Sequence, residues 1–215
     1  MTKIKTLGLA LVAVFAMSVV ATSSALAAQK HFKATTYPVK IKAKGTNTHV
    51  FKIGTVTVEC STSEFGPSAA IAGETTTLAM SAKYSGCKAF GFLTATINTK
   101  TCGYTFHVGE ALAGNTTDVT CTTSGDKIQI TAALTSCEVQ VGEQTGLSEA
   151  EYVNKAGKVE VKAKVTKIKY TVTKTGTGCP ANNTEEATYN GNATAEGFSK
   201  NELGEFVEPD NIEVA

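Results

Sequence analysis

Arginine and tryptophan are absent from the 215 residues, and histidine and aspartate are scarce, at three each. Without arginine there is no planar fork for bidentate recognition of phosphate or carboxylate, and every side-chain positive charge rests on lysine. Without tryptophan, a sugar-stacking platform or aromatic cage has to rely on Tyr and Phe. No G-x-S-x-G elbow occurs, so the familiar serine-hydrolase arrangement is not written into the chain. No C-x-x-C pair occurs either, and neighbouring cysteines stand at least 15 positions apart, which argues against a zinc site. No motif calls for a cofactor.

Long apolar runs are confined to the start. Lys3 and Lys5 are followed by an almost unbroken apolar stretch from Leu7 to Val20, and Ala25-Leu26-Ala27 fits the small-x-small cleavage rule. The run is too short and too soon interrupted by Thr22, Ser23 and Ser24 for a membrane span. We read 1–27 as a signal peptide, 28–35 as an N-terminal arm, 36–198 as a disulfide-stabilised β domain and 199–215 as an acidic flexible tail. The mature chain is expected to carry no transmembrane anchor and to be secreted or held at the cell surface. The signal carries two lysines and no acid, so its removal turns a formal charge of +1 into −1. Such a balance gives no electrostatic reason to expect nucleic acid.

Export gives the six cysteines a meaning, because thiols oxidise outside the cell and an even count points to bridges. The rest of the composition favours strands: Thr fills roughly one position in six, among alternating Val, Ile and Tyr. Cys102, Tyr104, Phe106 and Val108 share one face while Gly103, Thr105 and His107 point the other way. Val119 and Cys121, Ile128 and Ile130, and Cys137, Val139 and Val141 repeat the pattern. From Lys158 to Val172 the inward set Val159, Val161, Ala163 and Val165 slips phase to Ile168, Tyr170 and Val172, the signature of a β-bulge. Further strands are expected over Val39–Ala43, His49–Cys60, Thr75–Tyr84, Phe90–Ile97, Glu149–Val153 and Glu186–Ala195. Ser148 and Glu151 also compose a helix capping box, but Asn154-Lys155-Ala156-Gly157 reads as a turn into the next strand. The expected fold is all-β, an antiparallel sandwich of roughly ten short strands.

An internal echo offers an alternative of two small β subdomains. Val58-Glu59-Cys60-Ser61-Thr62-Ser63 resembles Val119-Thr120-Cys121-Thr122-Thr123-Ser124, and Met80-Ser81-Ala82 before Cys87 resembles Ile130-Thr131-Ala132 before Cys137. Duplication would pair Cys60 with Cys87, Cys121 with Cys137 and Cys102 with Cys179. Hairpin geometry instead sets Cys102 opposite Cys121 and leaves Cys137 for Cys179. Cys60 with Cys87 is common to both schemes.

The chain also resembles exported, uncharacterised β-rich proteins of soil actinobacteria. Tyr84-Ser85-Gly86-Cys87, Cys102-Gly103-Tyr104, Val119-Thr120-Cys121, Cys137 with Gln144-Thr145-Gly146-Leu147, and Ile168-Lys169-Tyr170-Thr171 before Cys179 carry the resemblance over most of the mature part. It implies export and a shared scaffold, and no assigned activity comes with it.

Candidate chemistry is thin. His107, with Glu110 close by, has the makings of a base and its orienter, although a solvated histidine is the commoner arrangement. Asn182-Asn183-Thr184-Glu185-Glu186 and Asn190-Gly191-Asn192 carry oxygen ligands without matching a calcium loop, and read as polar turns. Asn115, Asn182 and Asn192 open N-x-T sequons. Two lysine rows stand out: Lys40, Lys42 and Lys44 on one strand, and Lys158, Lys162, Lys164, Lys167 and Lys169 on the bulged one. They offer contacts for an anionic surface polymer or glycan. Lysine on a solvent face also discourages pairing between molecules, and the acidic tail has the charge to neutralise the rows. The functional expectation is non-enzymatic structural or binding work outside the cell. The rivals are a secreted enzyme with a loop-built site and a disulfide-scaffold inhibitor or toxin, for which segment 64–73 is the candidate loop.

Overall fold

A computed structural model of the chain describes residues 29–109, 114–133, 136–148, 150–176, 178–180 and 186–215. The segment read as a signal peptide lies outside them. The described residues form strands and no helix, as Thr, Val and Ile at period two require. In chain order these are β1 (Phe32–Ala34), β2 (Val39–Gly45), β3 (His49–Ile53), β4 (Val56–Pro67), β5 (Thr77–Ala89) and β6 (Leu93–Asn98). Next come β7 (Cys102–His107), β8 (Thr116–Cys121), β9 (Ile128–Ala132), β10 (Cys137–Val141), β11 (Gln144–Ser148) and β12 (Ala150–Lys155). The last are β13 (Lys158–Ile168), β14 (Thr171–Lys174), β15 (Ala187–Lys200), β16 (Phe206–Asp210) and β17 (Ile212–Val214).

The fold is sandwich-like and antiparallel, with β12, β13, β15 and the β2/β3 pair in one layer and β4, β5, β7, β8 and β11 in the other. At one edge β2 and β3 both pair with β4. At the other, β11 pairs with β8 while β12, next along the chain, pairs with β13. The two layers are therefore joined by ladders at the first edge and by the chain passing from β11 to β12 at the second, a flattened, barrel-like sandwich. The Gln144 amide stitches the second edge, its Nε2 donating to the Lys169 carbonyl at 3.1 Å and its Oε1 accepting from the Lys169 N–H at 2.9 Å. A side-chain amide carries the same donor and acceptor as a peptide, so it serves as one rung of a ladder.

Both ends of the barrel are covered. At one end β1 pairs with β17, bringing Phe32 and Ile212 into the core. At the other, β6, β9, β10 and β14 make a small sheet hung from the end of β5, and its Ile128, Ile130 and Val141 face inward. Burying such aliphatic side chains stabilises by about 1.5–3 kcal/mol each. Three disulfides reinforce the frame: Cys60–Cys87 between β4 and β5, Cys102–Cys121 between β7 and β8, and Cys137–Cys179 from β10 to the segment after β14. The hairpin scheme is thus the one formed. Because β5 pairs with both β6 and β7, and β6 with β9, the two echoing halves belong to one continuous sheet rather than to two subdomains.

Other boundaries depart from the sequence reading. His49–Cys60 is a hairpin, β3 and β4, turning at Gly54 with φ 55°. The bulge stands where expected, between Val165 and Ile168, with Lys167 at φ 61°. After it the chain changes sheets, so Lys158–Val172 splits into β13 on β15 and β14 on β10. The tail assignment fails: Ser199 and Lys200 end β15, β16 pairs with β15, and buried Ile212 anchors β17. Acidic residues hid a short apolar alternation that finds its partner in the supposed arm, 28–35. Segment 64–73 is no projecting loop, since it begins inside β4 and Ile71 bridges to Val39. The bridge-anchored projection is Phe90-Gly91-Phe92, just beyond Cys87, with Phe92 74% exposed.

Candidate functional site

Alternation turns one face of every barrel strand inward, and many of the inward residues are large aliphatics, among them Ile41, Leu78, Val119, Leu147 and Val165. Ala43 on β2, Ala163 on β13 and Gly191, Ala193 and Ala195 on β15 make a wall of small side chains. Phe65, Tyr104, Phe106 and Tyr152 contribute rings from the other strands. Where alanines stand in place of Val or Leu, the interior is left incompletely filled, and a cavity of about 90 Å³ remains. Small β-barrels lie at the size where side chains either fill the interior or leave room for one small ligand.

Two hydroxyls interrupt this apolar lining. Thr117 Oγ1 and the Tyr152 hydroxyl are enclosed and find no hydrogen-bond partner among the described residues. Thr117, on β8, is 4% exposed, and Tyr152 sits on β12 with the Phe32 ring edge-on at 5.4 Å. Both line the cavity at the edge where β8, β11, β12 and β13 meet. An enclosed hydroxyl left unpaired costs about 1–3 kcal/mol.

A second polar group in the wall is fully paired. His49 Nε2 lies 3.1 Å from the Asn192 carbonyl and 2.7 Å from Ser63 Oγ, and Nδ1 lies 2.5 Å from the Tyr189 hydroxyl. A carbonyl only accepts, so the proton belongs on Nε2 and Nδ1 accepts from Tyr189. Glycines make the room. A Cβ on Gly191 would stand 2.5 Å from Nδ1, and one on Gly45 would collide with Ser63 Oγ. Tyr84 extends the cluster by donating to the Tyr104 hydroxyl at 3.1 Å. Burial pushes the His49 pKa below its usual 6.5, keeping the ring neutral. Burial likewise pushes the phenols of Tyr84, Tyr104, Tyr152 and Tyr189 above 10, so all four stay protonated donors.

The residues singled out from the sequence lie elsewhere. His107 points away from the interior and meets Asp118 Oδ2 at 2.9 Å, while Asp118 Oδ1 accepts from the Gly146 N–H at 2.8 Å. Glu110, its expected partner, lies outside the described residues. The Cys102–Cys121 register sets Asp118 diagonally across from His107, so the pairing was readable from that bridge. Of the first calcium candidate only Glu186 is described, and Asn190, Gly191 and Asn192 belong to β15 rather than a turn. Asn115 is used internally, its Oδ1 accepting from the Gly109 N–H and its Nδ2 donating to the Ala150 carbonyl.

The structure brings the two lysine rows onto neighbouring strands, with β15 between β2 and β13. There half of them are matched: Lys158 with Glu196 at 2.5 Å, Lys162 with Glu151 at 3.2 Å, Lys42 over the Phe198 ring and Lys40 over Phe206. Lys42, Lys44 and Lys158 share an open groove with Lys83, Glu64 and Glu196. Lys164, Lys167 and Lys169 follow farther along β13 and just beyond it. Away from the rows, Lys174, 2.7 Å from Glu138, holds that carboxyl at about 2, with help from Gln140 and Thr173.

The sequence reading missed Thr117, Tyr152 and the His49 cluster. Only the phase of Thr117 with Val119 and the small residues in phase along 191–195 marked the interior. Among the described residues no helix is long and apolar enough to cross a membrane, and no group of His, Cys, Asp and Glu is placed to hold a metal. No family model, no curated protein and no solved structure matches this chain.

Proposed function

We propose that the chain is an exported, non-catalytic binding protein whose barrel-like interior holds one small apolar guest. The observation that carries this reading is the apolar cavity between the two layers, lined by a wall of alanine and glycine, by aliphatic side chains and by aromatic rings, with paired strands at each end. Chemistry would need a base within reach of a substrate. His49 has both ring nitrogens engaged by neutral groups, and the His107–Asp118 pair stands on the outer surface. A cavity of about 150 Å³ takes benzene, so about 90 Å³ calls for a guest of only a few carbon atoms. Export is supported by the signal-like N-terminus and by the three disulfides.

The test uses the mature, oxidised protein with cyclopropane and with xenon, followed by methyl NMR and thermal denaturation. Expected are shifts confined to methyls that line the cavity, those of Ala43, Ala163, Ala193 and Ala195 among them, and a rise in Tm. Saturation at about 100 times Kd is worth about 2.7 kcal/mol, or roughly 5–10 °C for a chain of this size. Silent methyls and an unmoved Tm with both probes would remove the proposal.

An anionic partner is the weaker reading, because glutamates and rings already match much of the lysine rows. It requires retention on an anionic polymer that salt abolishes.

A further inference from the structure

The two ends of the barrel are closed in different ways. The small sheet is woven into the chain, which enters and leaves it through β6, through β9 and β10 and through β14, and the Cys137–Cys179 bridge fastens it again. The N-terminal arm closes the other end. Phe32 on β1 is 5% exposed, lines the cavity and stands edge-on to Tyr152, while Lys33 beside it faces outward to Glu74 at 3.5 Å. With the signal peptide removed, the arm is joined covalently to the barrel on its Thr35 side alone. Its remaining hold is slight. It pairs with β17 over three residues, Phe32 and Thr75 exchange bonds of 2.7 and 3.2 Å, and the Gln29 amide donates to the Val108 carbonyl at 2.9 Å. A terminal segment held in this way opens at lower free energy than strands crossed by the chain at both ends.

Resting on the reading of the barrel as a guest site, we infer that the N-terminal arm is the stopper of the cavity and that the guest passes where the Phe32 ring sits. When β1 peels from β17 and Thr75, the ring leaves the mouth. β17 stays in place through the Asn154 amide and through the Ile212 N–H, which donates to the Gly157 carbonyl at 2.9 Å. No ladder between barrel strands has to break, so opening costs a few hydrogen bonds and one buried ring rather than the fold. The open form is a minor state of the same molecule. A looser arm therefore speeds entry and exit by the same factor and leaves the affinity unchanged.

The experiment measures, by NMR, the exchange of xenon and of cyclopropane with the mature, oxidised protein, together with amide exchange in β1. Two variants loosen the arm at residues that do not line the cavity, Gln29→Ala and Lys33→Pro. The first removes the bond to Val108. The second removes a ladder N–H, because Lys33 lies two residues from His31, which exchanges both bonds with Ala215. Gln29→Ala is expected to raise β1 amide exchange and both guest rates about fivefold, the value of one neutral hydrogen bond, with Kd within about twofold. Lys33→Pro is expected to raise them at least as much, and the exposed Gln29 site keeps the test open if the proline variant fails to fold. The paired variant Cys137→Ser, Cys179→Ser loosens the opposite end and is expected to leave the guest rates near those of the parent. Guest rates that stay fixed while β1 amides exchange faster would overturn the inference and leave the barrel site standing. Rates that rise in the serine variant alone would overturn it too, by placing the route at the small sheet. If neither probe binds any of the proteins, the barrel reading itself falls and this inference with it.

Discussion

His49 shows how one side chain organises its surroundings. A neutral imidazole buried in the wall needs two partners and the space to reach them, and Gly45 and Gly191 provide the space. Its pKa is depressed by burial, so the native state binds the proton less readily than the unfolded chain. Stability from this group is present above about 6.5 and is expected to decline as pH falls from there towards the depressed native value. Urea midpoints measured between pH 7.5 and 5 check this, and in His49→Gln that segment of the profile should flatten. Gly191→Ala is expected to destabilise by about 1–3 kcal/mol, because its methyl meets the imidazole inside a closely packed wall. A neutral result in chemical denaturation would show that the ring has room to move.

At the scale of the element, hairpin turns account for local departures from preferred backbone geometry. β12 and β13 are joined by Ala156 and Gly157, both with positive φ, at 47° and 78°. A two-residue turn of this sign favours Asn-Gly, whereas alanine resists the left-handed region. Ala156 is exposed, so Ala156→Asn removes that cost without disturbing packing. It is expected to stabilise by about 0.5–1 kcal/mol, or roughly 1–4 °C in Tm. Gly157 is less free, because a Cβ there would strike the Asn211 side chain. Phe90-Gly91 has the same positive-φ pairing at the β5–β6 tip, at 53° and 80°, next to exposed Phe92. Strand phase was readable at this scale: the inward faces of β7 and β13 and the bulge at 165–168 follow from alternation alone. The turn at Gly54 inside 49–60 shows in the sequence only as a one-residue slip of phase, from His49, Phe51 and Ile53 to Val56, Val58 and Cys60, which a bulge within one strand would also produce.

At the scale of the whole molecule, each bridge closes a loop in the unfolded chain. Separations of 27, 19 and 42 residues correspond to about 3–4 kcal/mol apiece in the chain-entropy model. Their local consequences differ. Cys60–Cys87 and Cys102–Cys121 staple strands already paired within the barrel, whereas Cys137–Cys179 ties the small sheet of β6, β9, β10 and β14 to the loop beyond β14. Replacing Cys137 and Cys179 by serine is therefore expected to raise amide exchange in β10 and β14 first, with the barrel ladders protected to nearly the global limit. Uniform loss of protection would show the end cap and barrel to be one cooperative unit. The two ends of the chain also meet at this scale. β1 pairs with β17, and the Asn154 amide fastens β12 to Val214 through two hydrogen bonds of 2.8 and 2.9 Å.

The sequence by itself determined what depends on near neighbours: strands rather than helices, the inward phase of most of them, and cysteines suited to bridges. These follow from side-chain spacing along an extended backbone, which every short segment carries within itself. Tertiary structure decided what depends on edges meeting. It chose Cys102–Cys121 over Cys102–Cys179, drew the acidic C-terminus into a ladder with the N-terminal arm, and closed the two layers through β11 and β12. Closure also enclosed Thr117 and Tyr152. A hydroxyl is unremarkable in a strand until ladders far apart in sequence shut water away from it, and no local pattern specifies which strands will do so.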